Sequence, residues 1–340
     1  MRNMRKRITT LKVRPIKRLG FGAFAVAFAA AFVALGTGGG TFASAAAKKF
    51  SIAYVPGATG VGFYTSLSDG MQAEASKLGM SYSYQGSPTF TPSKQTPVVD
   101  AVCTRHPSVL VLSPTTPVSM GRAVDTCVKD GVSVITTDTG LKTRKHVVSA
   151  ITSTSTVGGE IAAGFIGTRL RGRGQVAILN ISATATTQVE RQQGFEKVLK
   201  AKFPHVKIVA IDTAAQSVSA STSAFESMML AHPAIRAVFS ASGTGALGVA
   251  AAFKTDGLQG KVLNVGYDAT ATEVALLKSG AESATVAQQP TKEGMLAAEF
   301  AHDFVTGRKS AIKKTVDLRD VLLTSARAKN PAWAKYFYKS

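Results

Sequence analysis

The sequence predicts an α/β protein of two doubly wound, mainly parallel sheets. Short β-branched runs alternate from Phe50 onward with amphipathic stretches, and strands alternating with helices of about 10–15 residues are the mark of βαβ units. Roughly ten such units recur, more than one ordinary doubly wound sheet holds. The chain of 340 residues is 45% apolar and 18% charged, enough to bury a core and too apolar for disorder to be the main state.

The strands are expected at Phe50 to Val55, Met80 to Tyr84, Ser108 to Leu112, Val132 to Thr136, Gln175 to Ile181, Val206 to Ile211, Ala237 to Ser240, Val262 to Gly266 and Ser283 to Ala287. Between them the helical period appears over Tyr64 to Leu78, Pro117 to Lys129, Val157 to Leu170, Gln188 to Ala201, Ser217 to Leu230 and Ala269 to Lys278.

Residues 1–47 read as a secretory signal. Eight Lys and Arg and no acid precede Leu19, which opens a 17-residue apolar run ending at Leu35; Ala43-Ser44-Ala45 then supplies a small-residue cleavage box. A retained anchor is the alternative reading, since such a run just spans a bilayer. The expected location is outside the cytoplasm, in the periplasm or on the outer face of the envelope. Export also discounts the net charge of +20: without the eight leader cations, 32 Lys and Arg oppose 20 acids, a net +12. Those charges are scattered with no basic helix or run, so nucleic acid is not an expected partner. In an oxidising compartment the two cysteines, Cys103 and Cys127, read as one disulfide, with two buried thiols as the alternative.

In open parallel sheets ligands sit beyond the carboxyl ends of the strands. Those segments carry Phe63 and Tyr64, Ser113, Asp138 and Thr139, Gln188, Gln216, Ser242, Asp268 and Gln288. They are rich in hydroxyls, amides and aromatics. Aromatic walls with converging polar groups suit a buried polyol, because each desolvated hydroxyl needs a partner. Taken singly, Asp138 and Asp268 also read as turn caps. The five histidines show no metal-ligand spacing, and no nucleophile elbow or phosphate loop occurs. No enzyme chemistry, metal or cofactor is therefore expected. One competing motif is Gly243-Thr244-Gly245-Ala246-Leu247-Gly248, a literal G-x-G-x-x-G followed by Asp268, which would imply an NAD-dependent oxidoreductase.

The order and spacing of several segments resemble the ribose-binding type of periplasmic sugar-binding proteins of ABC importers. These are Gly62-Phe63-Tyr64, Val111-Leu112-Ser113-Pro114, Val134 to Asp138, Glu190-Arg191-Gln192-Gln193-Gly194-Phe195, Val265-Gly266-Tyr267-Asp268 and Ala284 to Pro290. The likeness spans Phe50 to Leu323. It implies the type I binding-protein architecture, with two lobes joined by three crossings near residues 149–152, 288–290 and 316–318. The first lobe would comprise 48–151 plus 290–317, and the second 152–289 plus 318–340. It also places Cys103 and Cys127 on neighbouring helices, supporting the disulfide.

Carried over by position, the aromatic stackers fall on Phe63 and Tyr64 and the polar ligands on Ser113, Asp138, Ser242, Asp268 and Gln288. The family's Asp-Arg pair becomes Asp138-Thr139, its second arginine falls on Val189 beside Arg191, and a second-lobe aromatic falls near Gln216. Tyr54 to Ser66 and Tyr84 to Pro88 look closer to the branch that binds rhamnose, sugar alcohols or autoinducer-2. The resemblance implies a monomeric receptor that captures a small neutral sugar or polyol and delivers it to an ABC permease. A sensor domain docking on a chemoreceptor or kinase is the alternative within the same fold.

Overall fold

A computed structural model describes residues 49–338. The proposed signal at 1–47 lies outside the described residues. The first part of the chain runs β1 (Ser51–Val55), α1 (Gly62–Lys77), β2 (Ser81–Tyr84), α2 (Pro92–Cys103), β3 (Val109–Leu112), α3 (Ser119–Lys129), β4 (Ser133–Thr137) and β5 (Val147–Ser153). The second runs α4 (Ser155–Arg169), β6 (Arg173–Asn180), α5 (Thr186–Lys202), β7 (His205–Thr213), α6 (Val218–Ala231), β8 (Ile235–Ser240), α7 (Gly243–Asp256), β9 (Leu263–Tyr267), α8 (Ala271–Ser279) and β10 (Ala284–Ala287). The chain ends with α9 (Pro290–Val305), β11 (Thr315–Leu318), β12 (Val321–Thr324) and α10 (Ser325–Lys329).

These strands form two six-stranded sheets, ordered β11-β5-β4-β3-β1-β2 and β12-β10-β9-β8-β6-β7. The first sheet is parallel throughout. In the second, β12 alone runs antiparallel, against β10. Helices cover both faces, so the central strands are buried on both sides and carry unbroken apolar runs such as Val109-Leu110-Val111-Leu112. Strand membership puts the passages between sheets after β5, after β10 and between β11 and β12. Three strands have no counterpart in the periodicity: β5, β11 and β12. They are the strands beside the passages, where the chain leaves the βαβ rhythm.

Two of the passages are followed at once by a helix that packs on another helix of the lobe it enters, and glycine sets how closely. A methyl built on Gly294 of α9 would land on the carbonyl of Leu67 in α1, and one on Gly70 of α1 on the carbonyl of Thr291 in α9. The second lobe repeats this device: Gly159 of α4 meets the carbonyl of Arg191 in α5, and Gly194 meets that of Thr156. Each pair of helices therefore touches backbone to backbone, a distance no Cβ allows. Cys103 at the end of α2 and Cys127 in α3 are disulfide-bonded, with Cα atoms 5.3 Å apart, joining two helices on one face of the first sheet.

Several acids of the second lobe and its last passage are buried: Glu273, Glu282 and Asp320. Glu282 is fully buried, its carboxyl lying where a Cβ on Gly266 would be. Burial, then the charge of Glu273, push its carboxyl well above the usual range. Burial, then Asp268, push Glu273 up to about 8, and burial pushes Asp320 up to about 7. The native state therefore holds protons that the unfolded chain has released, so stability is full below the ordinary carboxylate range and is lost as pH rises through about 7–8.

Two outcomes follow. Thermal unfolding should show a higher Tm at pH 5 than at pH 8.5, and Glu282→Gln should flatten that slope; a Tm that rises with pH over this range refutes the assignment. Gly194→Ala should destabilise by about 1–3 kcal/mol, read as a shifted urea midpoint, whereas Gly164→Ala in the same helix pair, where a methyl meets nothing within 4 Å, should not.

Candidate functional site

Asp138 follows β4 and Asp268 follows β9, and both sit in the left-handed region, with φ of 58° and 77°. That conformation is costly for a residue other than glycine and persists only where the surroundings fix it. Here they do, and in matching ways. The Asp138 backbone N–H donates to Glu293 Oε1 at 2.5 Å, and its carbonyl accepts from Thr152 Oγ1 at 2.7 Å. The Asp268 N–H donates to the Val286 carbonyl and its carbonyl accepts from Thr285 Oγ1, both at 2.8 Å. The two carboxyls face a common cavity from opposite lobes.

That cavity is lined by eight of the ten residues singled out from the sequence: Phe63, Tyr64, Asp138, Gln188, Gln216, Ser242, Asp268 and Gln288. Phe63 and Tyr64 come from the first turn of α1 and pack edge to face, with centroids 5.3 Å apart. Tyr64 donates to Asp138 Oδ2 at 2.9 Å. Burial pushes the Asp138 carboxyl up to about 6, against the lowering effects of Arg191 and of the Tyr64 bond. Gln188 donates to the Ala241 carbonyl at 3.0 Å and accepts from the Ile181 N–H at 3.2 Å, which fixes the loop at the head of α5.

Two of the ten lie elsewhere. Ser113 sits beneath the cavity, bonded to Tyr54 Oη at 3.0 Å and Thr137 Oγ1 at 2.8 Å. Thr139 turns into an adjoining cleft with Gly140, Arg144 and Glu190.

The residue the sequence reading passed over is Arg191. Positional transfer put an arginine on Val189, but it is Arg191, one helical turn beyond Gln188, whose side chain lines the cavity. Its guanidinium lies 3.7 Å from the Tyr267 ring centre. It donates to the Ala241 carbonyl at 2.8 Å and to Gln288 Oε1 at 2.9 Å. Its Nε finds no protein partner among the described residues. Burial works against its charge, but Tyr267, Asp268, Asp138 and Asp320 together hold its pKa above the usual arginine value. The i+3 spacing from Gln188 was the available signal. Phe90, another lining residue, lies after β2, a strand end left out of the sequence reading.

Gln288 Nε2 donates to Asp268 Oδ1 at 2.6 Å, the Gly243 N–H donates to Oδ2 at 3.1 Å, and Tyr338 from the end of the chain donates to Oδ1 at 2.9 Å. The start of α7 is therefore occupied by Asp268, with Ser242 capping it through the Gly245 N–H at 3.1 Å. A methyl on Gly243 would strike Glu273, and one on Gly248 would strike Ser221 of α6. The glycine motif serves close packing, and the helix end that would bind a pyrophosphate is already filled by a carboxyl. This removes the ground for the dinucleotide reading.

The periplasmic binding protein domain model matches residues 52–309. The ribose import binding protein of Salmonella typhimurium is 31% identical over 283 residues, covering 83% of this chain and 94% of that protein. The protein of the same name from Bacillus subtilis is 31% identical over 269 residues, covering 79% and 85%. Among solved structures, an ABC transporter solute-binding protein from Agrobacterium vitis bound to α-D-tagatopyranose aligns with a TM-score of 0.82 and 28% identity, over 86% of this chain and all of that one. A carbohydrate solute-binding protein from Agrobacterium radiobacter in complex with D-arabinose gives 0.81 and 25%, over 86% and 99%. With two parallel-sheet lobes meeting over a polar, aromatic-walled cavity, the chain belongs to the periplasmic binding protein family, as a sugar-binding solute receptor of ABC transporters.

Proposed function

We propose that the protein captures a small neutral monosaccharide, of the pentose or hexose class, between its two lobes and presents the closed form to an ABC permease on the outer side of the membrane. The observation that carries this reading is the pairing of Asp138 and Asp268 across one cavity with Arg191 between them. Phe63, Tyr64 and Phe90 wall the first-lobe side and offer faces and edges for the apolar side of a sugar ring. Asp138, Gln188, Gln216, Asp268 and Gln288 supply acceptors and donors for hydroxyls. Arg191 Nε is the buried donor that a sugar ring or hydroxyl oxygen would satisfy.

Closure has a physical source in this arrangement. Asp138 belongs to the first lobe, while Arg191, Asp268 and Gln288 belong to the second or to the passage out of it. A ligand bonded to both sets gains its full hydrogen bonding only when the lobes meet, so its differential affinity favours the shut form. The lobes already touch at the cavity rim, where the Gly140 N–H donates to Thr186 Oγ1 at 3.2 Å. The three passages act as the hinge, with lobes of 48–151 plus 290–317 and 152–289 plus 318–340. The relatives' names supply the ligand class: ribose for the import proteins, tagatose and arabinose for the structural neighbours.

Isothermal titration of the exported form against D-ribose, D-arabinose, D-allose and D-tagatose should give saturable binding to at least one sugar and none to NAD. Asp138→Ala or Arg191→Ala should weaken it by about tenfold to a hundredfold, the loss of hydrogen bonds to a charged group worth about 1.5–3 kcal/mol. Binding of NAD in place of any sugar would overturn the receptor reading. In small-angle scattering the same sugar should reduce the radius of gyration, and a sugar that binds with no compaction would refute the closing mechanism.

A further inference from the structure

After β12 the chain does not stop at the sheet edge. α10 packs against α8, Arg327 stacks 4.1 Å from the Trp333 ring centre, and a 3-10 turn over Pro331–Tyr336 carries the chain back toward the cavity. Its last described residue, Tyr338, is 6% exposed. The Tyr338 N–H donates to the Ala269 carbonyl at 2.8 Å, which ties the tail to the backbone next to Asp268. Its ring meets Phe63 of the opposite lobe edge-on at 6.3 Å. Its hydroxyl donates to Asp268 Oδ1. Tyr338 does not itself line the cavity; it stands behind Asp268 and acts through it.

A carboxylate offers about four acceptor positions, two on each oxygen. At Asp268, Gln288 and Tyr338 take both positions on Oδ1, and Gly243 takes one on Oδ2. One position, on Oδ2, is left for a ligand. Without the tyrosine hydroxyl each oxygen would keep one free position, the geometry that accepts from two adjacent hydroxyls at once. From this we infer that Tyr338 is a positioning residue that sets the sugar selectivity of the site, by restricting Asp268 to a single ligand hydroxyl. The inference rests on the sugar-receptor reading, and it assigns the C-terminal tail a part in recognition rather than in folding alone.

The test is titration of the exported parent chain and of Tyr338→Phe against D-ribose, D-arabinose, D-allose and the monodeoxy analogues of whichever of them binds. The phenylalanine keeps the ring contact with Phe63 and removes only the donor. For at least one deoxy analogue, the ratio of its Kd to that of the full sugar should rise threefold or more in Tyr338→Phe, because the freed Oδ1 now engages the second hydroxyl. Truncation after Phe337 should shift that ratio in the same direction. A merely structural tyrosine would lower Tm or weaken all sugars alike, and ratios that all change by less than threefold overturn the inference while leaving the receptor reading intact. If the parent binds none of the sugars, both fall together.

Discussion

The site is organised around a single buried guanidinium. Arg191 is the one cation among the described residues lining the cavity, and the carboxyls of Asp138, Asp268 and Asp320 act on it together. Its place is fixed on several sides at once: by the Tyr267 ring, the Ala241 carbonyl and Gln288. Gln288 in turn donates to Asp268, so arginine, amide and carboxyl form one chain of hydrogen bonds. Removing the cation would leave like charges facing each other in a desolvated space, which is the expensive way to break a buried pair. The arginine's own backbone is part of the helix contact that holds the second lobe together, since its carbonyl lies where a Gly159 Cβ would be. Core packing and ligand chemistry thus share a residue, and the absence of a side chain at Gly159 is a condition of the site as much as of the fold.

The same physical solutions recur in both lobes. Asp138 and Asp268 each leave a central strand in a left-handed conformation, and each has its carbonyl held by a threonine from the neighbouring strand, Thr152 or Thr285. The glycine contacts of α1 with α9 match those of α4 with α5. Because α4 and α9 are the helices that follow two of the passages between sheets, this tight packing anchors the incoming chain rigidly to its new lobe. In the closing mechanism proposed above, the few residues between these anchors are where a hinge would flex.

The alternation of strand and helix, and the polar residues beyond strand ends, were legible because they depend on local sequence. Eight of the ten residues expected from that rule meet in one cavity. Ser113 and Thr139 miss it by one layer and one residue of turn, distinctions that strand-end position cannot resolve. Arg191 was passed over because matching by position favoured Val189, whereas the helix turns a different face to the cavity. Strand β5 was hidden since Val147–Ser153 mixes Ser and Thr into an apolar run beside a passage. Residue type alone would put Glu282 and Glu293 on the surface, since acids are seldom fully buried, yet both are buried. Tyr338 could not be found locally at all: it lies 70 residues from the carboxyl it bonds.

The electrostatics of the cavity bear on what can enter it. A formal charge of +20 describes the whole chain, but the cavity itself is lined by two carboxyls, Asp138 and Asp268, and one guanidinium, Arg191, while burial holds Glu293, bonded to the Asp138 N–H, well above the usual range. An anionic ligand would meet the Asp138 and Asp268 carboxyls from opposite sides, and Arg191 is already engaged with the protein through two nitrogens. A cation would meet that guanidinium in a space with little water to screen it. Hydroxyl groups face neither difficulty, since each can donate to a carboxyl and accept from Arg191 Nε or an amide. A neutral polyhydroxylated ring, apolar on one side for Phe63 and Tyr64, is therefore the ligand whose desolvation this set of groups can best offset.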